Sequence, residues 1–311
     1  MDDIHSGRRV LLALIGTLYL YLSASSLWFQ IESLSLEIPR SSETVGNLIR
    51  RRKPNGVVPT VLFVIDTTEK NYSSRVRDIR ATYLLRVHEK RSLDLIFVGS
   101  TTTDGSPDMI ASSCPIGYWE DSCKRADLIT AAYDWLQEPG HALFDWIFFA
   151  DDDAYLLPDN VQRMILSLGP GAVSRTAVWG IPACVHESCG GLCGGGGYFT
   201  NRDTLEKIQL GGDRVKYPSL RDETNKFDVE CGRCGDLTIA RVIEDHRNIT
   251  LLHYPKGSYT WNFEDGDKGL VASLNASDPL PFLYHYPAKN RFPFVHEKVR
   301  ELGSNKELPD D

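Results

Sequence analysis

Three consecutive aspartates, Asp151, Asp152 and Asp153, directly follow the apolar run "WIFFA". Adjacent carboxylates repel one another, so three of them at the end of a buried strand call for a compensating positive charge. Alternate side chains of an extended backbone point to opposite faces, which predicts that Asp151 and Asp153 share one side while Asp152 points away. Carboxylate pairs bind hard cations such as Mn²⁺ or Mg²⁺. The triplet therefore predicts a divalent-cation site, with a solvated acidic turn as the alternative.

The segments around the triplet alternate between strand and helix patterns. Short apolar runs predict strands at 60–66, 93–99, 145–150 and 177–182. Helical spacing predicts helices at 73–90, capped by Ser73 or Ser74, at 123–138, and at 158–168, beginning with Pro158. Strands that alternate with helices predict an α/β fold with a mostly parallel sheet covered on both faces. Ligands bind at the carboxyl ends of the strands in such a sheet, which is where the triplet lies.

An uncharged apolar segment, residues 10–29, follows Arg8 and Arg9 near the start of the chain. As a helix it would be about 30 Å long, which is enough to cross a bilayer. Small residues at 23–25 leave a cleaved signal peptide as the alternative. We predict five regions: a cytoplasmic tail (1–9), a transmembrane anchor (10–29), a polar stem (30–58), a lumenal globular domain (59–302) and a disordered tail (303–311).

Either interpretation of residues 10–29 delivers the rest of the chain to the lumen of the secretory pathway. Three glycosylation sequons, which begin at Asn71, Asn248 and Asn275, agree with that location. Cys114 and Cys123 bracket a short segment and predict a disulfide in an oxidising compartment. The five remaining cysteines cannot all pair with one another, and a zinc site built on "CGRC" and "CVHESCGGLC" is the alternative to disulfides.

Composition and missing motifs exclude several functions. The 311 residues, 42% of them hydrophobic, are enough for a large core, and a net charge of −8 argues against a nucleic-acid partner. The chain has neither G-x-G-x-x-G after its first strand nor G-x-x-x-x-G-K-[ST], which argues against a dehydrogenase or an ATPase. The glycine run "CGGLCGGGGYF" allows close backbone approach to a sugar or phosphate, or forms a mobile turn. Carboxylate-bound Mg²⁺ or Mn²⁺ commonly contacts substrate phosphates, which favours nucleotide chemistry.

Four segments in order, "DWIFFADDDAYLLPDNV", "GGGGYFTNRDTLEKI", "CGDLTIARVIED" and "PFLYHY", resemble the motif series of the fringe-like β1,3-glycosyltransferases, especially the core 1 β1,3-galactosyltransferases. The resemblance covers about residues 60–290. It implies a GT-A fold, a UDP-sugar donor, Mn²⁺ dependence, inversion at the anomeric carbon, and a type II membrane protein of the Golgi. Two positions depart from the family: Tyr83 replaces the usual Trp after Thr, and Gly235 replaces an acid before the aspartate.

The resemblance also implies roles for individual residues. Asp236 would be the general base, although an Asp before an apolar helical run is also a common N-cap. Asp151 and Asp153 would bind the metal ion, and either His285 or His253 would complete its ligands.

Further residues would contact the two substrates. Four would contact the donor: Asp151, Asp152, Gly195 and Gly196. Tyr259 and Trp261 would form an aromatic platform for the acceptor. The implied reaction moves galactose from UDP-galactose, in β1,3 linkage, to a glycan or glycoprotein such as O-linked GalNAc, and a homodimer is a possible assembly. The alternatives are a fringe-like N-acetylglucosaminyltransferase acting on O-fucose and an inactive homologue that serves as a folding partner or glycan-binding module.

Overall fold

The computed structural model describes residues 58–100, 103–114, 121–141, 143–182, 184–186, 189–211, 219–255, 260–262, 282–285 and 292–303. The predicted membrane anchor, nearly all of the stem, the sequon at Asn275 and most of the predicted disordered tail lie outside these ranges. Among the described residues, no helix has the length and apolar character needed to cross a membrane.

Twelve strands are found in the described ranges. In chain order they are β1 (Val61–Asp66), β2 (Leu93–Val98), β3 (Met109–Ile110), β4 (Trp146–Asp151), β5 (Ala154–Leu156), β6 (Ala177–Gly180), β7 (Cys184–His186), β8 (Cys189–Gly191), β9 (Tyr198–Asn201), β10 (Thr250–His253), β11 (Thr260–Asn262) and β12 (Leu283–His285). Seven form the central sheet in the order β10-β6-β9-β4-β1-β2-β3, in which β9 is antiparallel to its two neighbours and every other pair is parallel. The predicted mostly parallel sheet is therefore confirmed. A second sheet has the order β11-β12-β5, and β7 pairs with β8.

Helices cover both faces of the central sheet. They are α1 (Arg77–Arg80), α2 (Tyr83–His88), α3 (Asp121–Gln137), α4 (Pro158–Ser167), α5 (Arg202–Leu210), α6 (Leu220–Phe227), α7 (Gly235–Arg241) and α8 (Phe292–Gly303). Alternate residues of β1 enter different cores: Phe63 packs in a cluster with residues of α1, α2, α4 and α8, and Val64 packs in a cluster with residues of α3, α5, α6 and α7. This two-sided burial explains why the strands are continuous apolar runs.

The first helix predicted from the sequence is broken into two. Both predicted caps, Ser73 and Ser74, lie inside a π-helical turn that precedes α1, so that prediction is wrong. The break falls at Thr82, whose backbone angles (φ −126°, ψ −107°) are not helical. Its hydroxyl donates to the Asp78 carbonyl oxygen at 2.7 Å and so satisfies a group that a continuous helix would use.

Three disulfides are present among the described residues. The predicted Cys114–Cys123 bond is confirmed, and Cys184–Cys193 and Cys189–Cys231 are also present. The zinc alternative is therefore wrong, because disulfide sulfurs are not thiolate ligands. Cys189–Cys231 joins β8, at the start of the glycine run, to the turn that leads into α7. Cys234 in that turn is a free thiol.

Candidate active site

The aspartate triplet lies where the two larger sheets meet. Asp66 at the end of β1 pairs in register with Asp151 at the end of β4, which places two carboxylates side by side. The chain then turns through Asp152 and Asp153 and enters β5 in the three-stranded sheet. Because the backbone turns here, the three carboxylates of the triplet face different neighbours.

Asp152 is tied to the segment that follows β1. Its carboxylate, in a residue only 4% exposed, accepts hydrogen bonds from Thr67 Oγ1 (2.6 Å), Asn71 Nδ2 (2.8 Å) and Arg75 Nη1 (2.7 Å). Asn71 is also the first residue of a predicted glycosylation sequon. These three donors engage both oxygens of Asp152, so this residue anchors the turn; its predicted contact with the donor stays a prediction.

The pairing of β12 with β5 brings His285 close to Asp153. β12 runs antiparallel to β5 with His285 opposite Ala154, and this register brings His285 Nε2 to 3.6 Å from Asp153 Oδ1. That oxygen is buried and accepts no hydrogen bond from the described residues. Burial and the nearby Asp151 raise the pKa of Asp153 to about 6, and burial lowers the pKa of His285 to about 4. A carboxylate beside a neutral imidazole is a suitable ligand pair for a divalent cation.

His253, the other predicted histidine ligand, lies elsewhere. It ends β10 with an exposed side chain, and β10 is an edge strand separated from β4 by β6 and β9. The structure therefore brings His285, and not His253, to the triplet.

Two cations from α3 compensate the carboxylates at the strand ends. Arg125 Nη1 lies 2.6 Å from Asp151 Oδ1 and 3.4 Å from Asp66 Oδ2, while Lys124 Nζ lies 2.8 Å from Asp66 Oδ1. Burial raises the pKa of Asp151, but the charge and hydrogen bond of Arg125 outweigh it and hold that pKa below its usual range. Sequence reasoning missed both cations. Their signal was an adjacent Lys-Arg pair in a helix predicted to cover the sheet.

Asp236 lies in the first turn of α7 but does not cap it. The N-cap residue is Cys234, and the backbone N–H of Gly235 donates to Asp121 Oδ2 at 3.0 Å. The capping interpretation of Asp236 is therefore wrong, because a carboxylate from α3 occupies that position. Asp236 Oδ1 instead lies 3.0 Å from Arg125 Nε.

Burial controls the protonation of Asp236. Its side chain is 15% exposed, and burial, with a further contribution from Asp151, raises its pKa to about 7 although Arg125 opposes the shift. A carboxyl group with this pKa exchanges protons readily near neutral pH, as a general base must.

The glycine turn Gly194–Gly196 lies against both Asp236 and His285. A Cβ atom on Gly194 would lie 1.8 Å from Asp236 Oδ2, and one on Gly195 would lie 2.0 Å from His285 Cε1. No side chain fits at either position unless the neighbour moves. The glycines therefore permit close approach of the backbone to these two side chains. The Gly196 carbonyl accepts a hydrogen bond from Tyr254 Oη (2.8 Å), and the predicted donor contacts of Gly195 and Gly196 stay predictions.

The predicted acceptor platform is only partly within the described residues. Trp261 lies in β11, where it is in register with Tyr284 of β12, and Asn262 is in register with His285. The backbone of Trp261 is thus one strand away from His285, whereas Tyr259 lies outside the described residues.

The charges of the site leave room for a cation. The site has three more carboxylates than basic residues. Six aspartates surround three basic residues: Asp66, Asp121, Asp151, Asp152, Asp153 and Asp236 against Arg75, Lys124 and Arg125. With the buried, unbonded oxygen of Asp153, this imbalance fits Mn²⁺ or Mg²⁺. The one tight group of metal-ligand side chains found in the described ranges, Cys114, Cys123 and Asp127, contains a disulfide and does not form such a site.

Three solved structures show distant similarity to the chain. No family model matches the chain. A glycosyltransferase involved in the glycosylation of the major capsid of PBCV-1 is 10% identical over 78% of this chain and 99% of its own, with a TM-score of 0.43. The galactosyltransferase LgtC, in complex with donor and acceptor sugar analogues, is 10% identical over 80% and 97% (TM-score 0.40). The glycosyltransferase GlyE of Streptococcus pneumoniae TIGR4 is 13% identical over 79% and 64% (TM-score 0.41). At these scores the similarities assign neither a family nor an activity.

Alanine substitutions in the glycine turn should distinguish the role of His285 from that of Asp236. Gly194→Ala should displace the Asp236 carboxylate, and Gly195→Ala should displace the His285 imidazole, because those are the atoms that a new methyl group would meet. Isothermal titration should show that Mn²⁺ binding is weakened at least about tenfold by Gly195→Ala, since misplaced ligands bind metal poorly, and is nearly unchanged by Gly194→Ala. Equal effects of the two variants would contradict this assignment. Gly190→Ala, where a Cβ meets nothing within 4 Å, is the matched control.

The raised pKa of Asp153 predicts how stability depends on pH in EDTA. The folded state holds the Asp153 proton up to a pH of about 6, whereas the unfolded chain releases it near its ordinary pKa of about 4. The carboxyl group therefore stabilises the fold fully below pH 4, and this contribution is lost as the pH rises through 6. At pH 7.5 the thermal midpoint of Asp153→Asn should be several degrees above that of wild type. This difference should disappear at pH 4. A constant difference across this range would contradict the prediction.

Proposed function

We propose that the chain is a metal-dependent inverting β1,3-glycosyltransferase that moves galactose from UDP-galactose to a glycan acceptor such as O-linked GalNAc. The observation that carries the proposal is the arrangement around the glycine turn. Asp153 and His285 meet at the junction of the two sheets, and Gly195 contacts His285 while Gly194 contacts Asp236. A ligand pair for a cation and a buried carboxylate of raised pKa thus lie against adjacent residues of one turn.

Asp236 is the general base in this proposal. In an inverting displacement the acceptor hydroxyl attacks the anomeric carbon from the side opposite the departing diphosphate, and one base removes its proton. The carboxylate of Asp236 would accept that proton at one of its oxygens. Its pKa of about 7 leaves a large ionised fraction at neutral pH and gives it more proton affinity than an ordinary aspartate.

Asp153 and His285 would hold the metal ion. Both groups are in the required protonation state at neutral pH, since Asp153 is largely ionised and His285 is neutral. When bound, Mn²⁺ would neutralise charge on the leaving diphosphate. Asp151, already paired with Arg125, would support the donor side of the site.

The proposed location is the Golgi membrane, with the described domain in the lumen. The sequence of residues 10–29 and the glycosylation sequons support the topology. The three disulfides support it too, because such bonds persist in oxidising compartments and are rare in the cytosol.

Asp236→Asn tests the proposed reaction in the full-length chain. Asn is nearly isosteric but cannot accept the proton, so turnover with UDP-galactose and a GalNAc-terminated acceptor should fall by about 10²- to 10⁴-fold. Mn²⁺-dependent binding of UDP and the thermal midpoint should remain near wild type. Radiolabelled transfer measures the first quantity, and titration of UDP with and without EDTA measures the second.

The matched control is Asp203→Asn, the same change in the first turn of α5. It should leave turnover unchanged. Near-normal transfer by Asp236→Asn would show that this residue is not the general base. UDP affinity that EDTA does not change would show that donor binding needs no metal ion. Transfer from UDP-N-acetylglucosamine in place of UDP-galactose would contradict the proposed donor.

A further inference from the structure

Arg125 is the one cation among the described residues that contacts both Asp151 and Asp236. Its side chain is 7% exposed. Nη1 lies 2.6 Å from Asp151 Oδ1, and Nε lies 3.0 Å from Asp236 Oδ1. One buried guanidinium therefore spans the strand-end carboxylate of β4 and the proposed base on α7.

The position of Arg125 is itself fixed from several directions. Asp66 Oδ2 lies 3.4 Å from Nη1, and Asp121 Oδ1 lies 3.9 Å from Nε, one helical turn earlier in α3. The other oxygen of Asp121 accepts the backbone N–H of Gly235, the residue just before Asp236. The first turns of α3 and α7 are thus held together around this guanidinium.

The shape of the guanidinium matters as well as its charge. A guanidinium is planar and presents its N–H groups in a fixed fork. The hydrogen bond from Nη1 to Asp151 therefore fixes where Nε lies, and Nε forms an ion pair with Asp236 that lacks hydrogen-bond alignment. A lysine ammonium in the same place supplies a point charge on a flexible stem and imposes no such relation. Lys124 already supplies that kind of charge to Asp66.

We propose that Arg125 is a positioning residue that fixes the Asp236 carboxylate relative to Asp151. The inference rests on the proposed function, because it concerns where the base stands relative to the donor side of the site. Arg125 does not take part in proton transfer. It holds the base where it can take the proton from the acceptor hydroxyl as that oxygen attacks the anomeric carbon, and a misplacement of about 1 Å in such a group costs up to about 100-fold in rate.

Arg125→Lys tests this role because it keeps the charge and removes the fork. Turnover should fall by about 10- to 100-fold, while the KM for the donor and the Mn²⁺-dependent Kd for UDP stay within about threefold of wild type. Arg247→Lys is the matched control, since Arg247 is a buried arginine paired with Glu223 away from the site. Arg247→Lys should lower the thermal midpoint about as much as Arg125→Lys does, without changing turnover.

Three results would overturn the inference. Wild-type turnover in Arg125→Lys would show that charge alone suffices. Parallel losses of UDP binding and turnover would show that Arg125 acts on the donor. Failure of Arg125→Lys to fold, when Arg247→Lys folds, would show that Arg125 is a structural residue.

A stability measurement separates this inference from the proposed function. If the wild-type chain transfers no sugar, the proposed function fails, but the contact between Arg125 and Asp236 is still testable by combining Arg125→Lys with Asp236→Asn. A double variant whose thermal midpoint differs from the sum of the two single shifts supports the positioning contact. Additive shifts overturn it.

Discussion

The crowding of carboxylates at the carboxyl ends of β1 and β4 is the constraint on which the site depends. Two like charges 4 Å apart repel by about 4 kcal/mol at an effective dielectric constant of 20, so the arrangement persists only with compensation. Arg75, Lys124 and Arg125 supply it, and each contacts at least one aspartate at 2.8 Å or closer. Arg75 lies in the π-helical turn before α1, and Lys124 and Arg125 lie in α3. The apolar packing of these elements against the sheet therefore brings the positive charges to the strand ends.

Neighbouring cations and hydrogen-bond donors offset the charges of the aspartates to different extents, which gives these residues different properties. Asp152 receives three hydrogen bonds and anchors a turn, and Asp151 is held ionised by Arg125. Asp153 and Asp236 are less well compensated, so burial raises the pKa of each. Environment therefore separates a structural carboxylate from those suited to bind a cation or to accept a proton.

Local sequence patterns predicted the scaffold well. The apolar runs of β1, β2, β4 and β6 and the helices α3 and α4 were evident, because strand and helix periodicity is a local property. The antiparallel strand β9 was not predicted, since its orientation depends on pairing with β4 and β6. Arg125 was not recognised either, because its role comes from long-range packing of α3 against α7. The choice between His285 and His253 likewise required the register between β5 and β12.

Asp153 and His285 are the proposed ligands of a cation beside the proposed base, Asp236. The most direct measurement is a crystal structure of the chain with UDP and Mn²⁺, with the ion located by its anomalous scattering. We expect one strong anomalous peak within about 2.3 Å of an Asp153 carboxylate oxygen and a ring nitrogen of His285, where direct ligands lie. An ion bound elsewhere, or UDP bound with no ion at Asp153, would contradict this metal site.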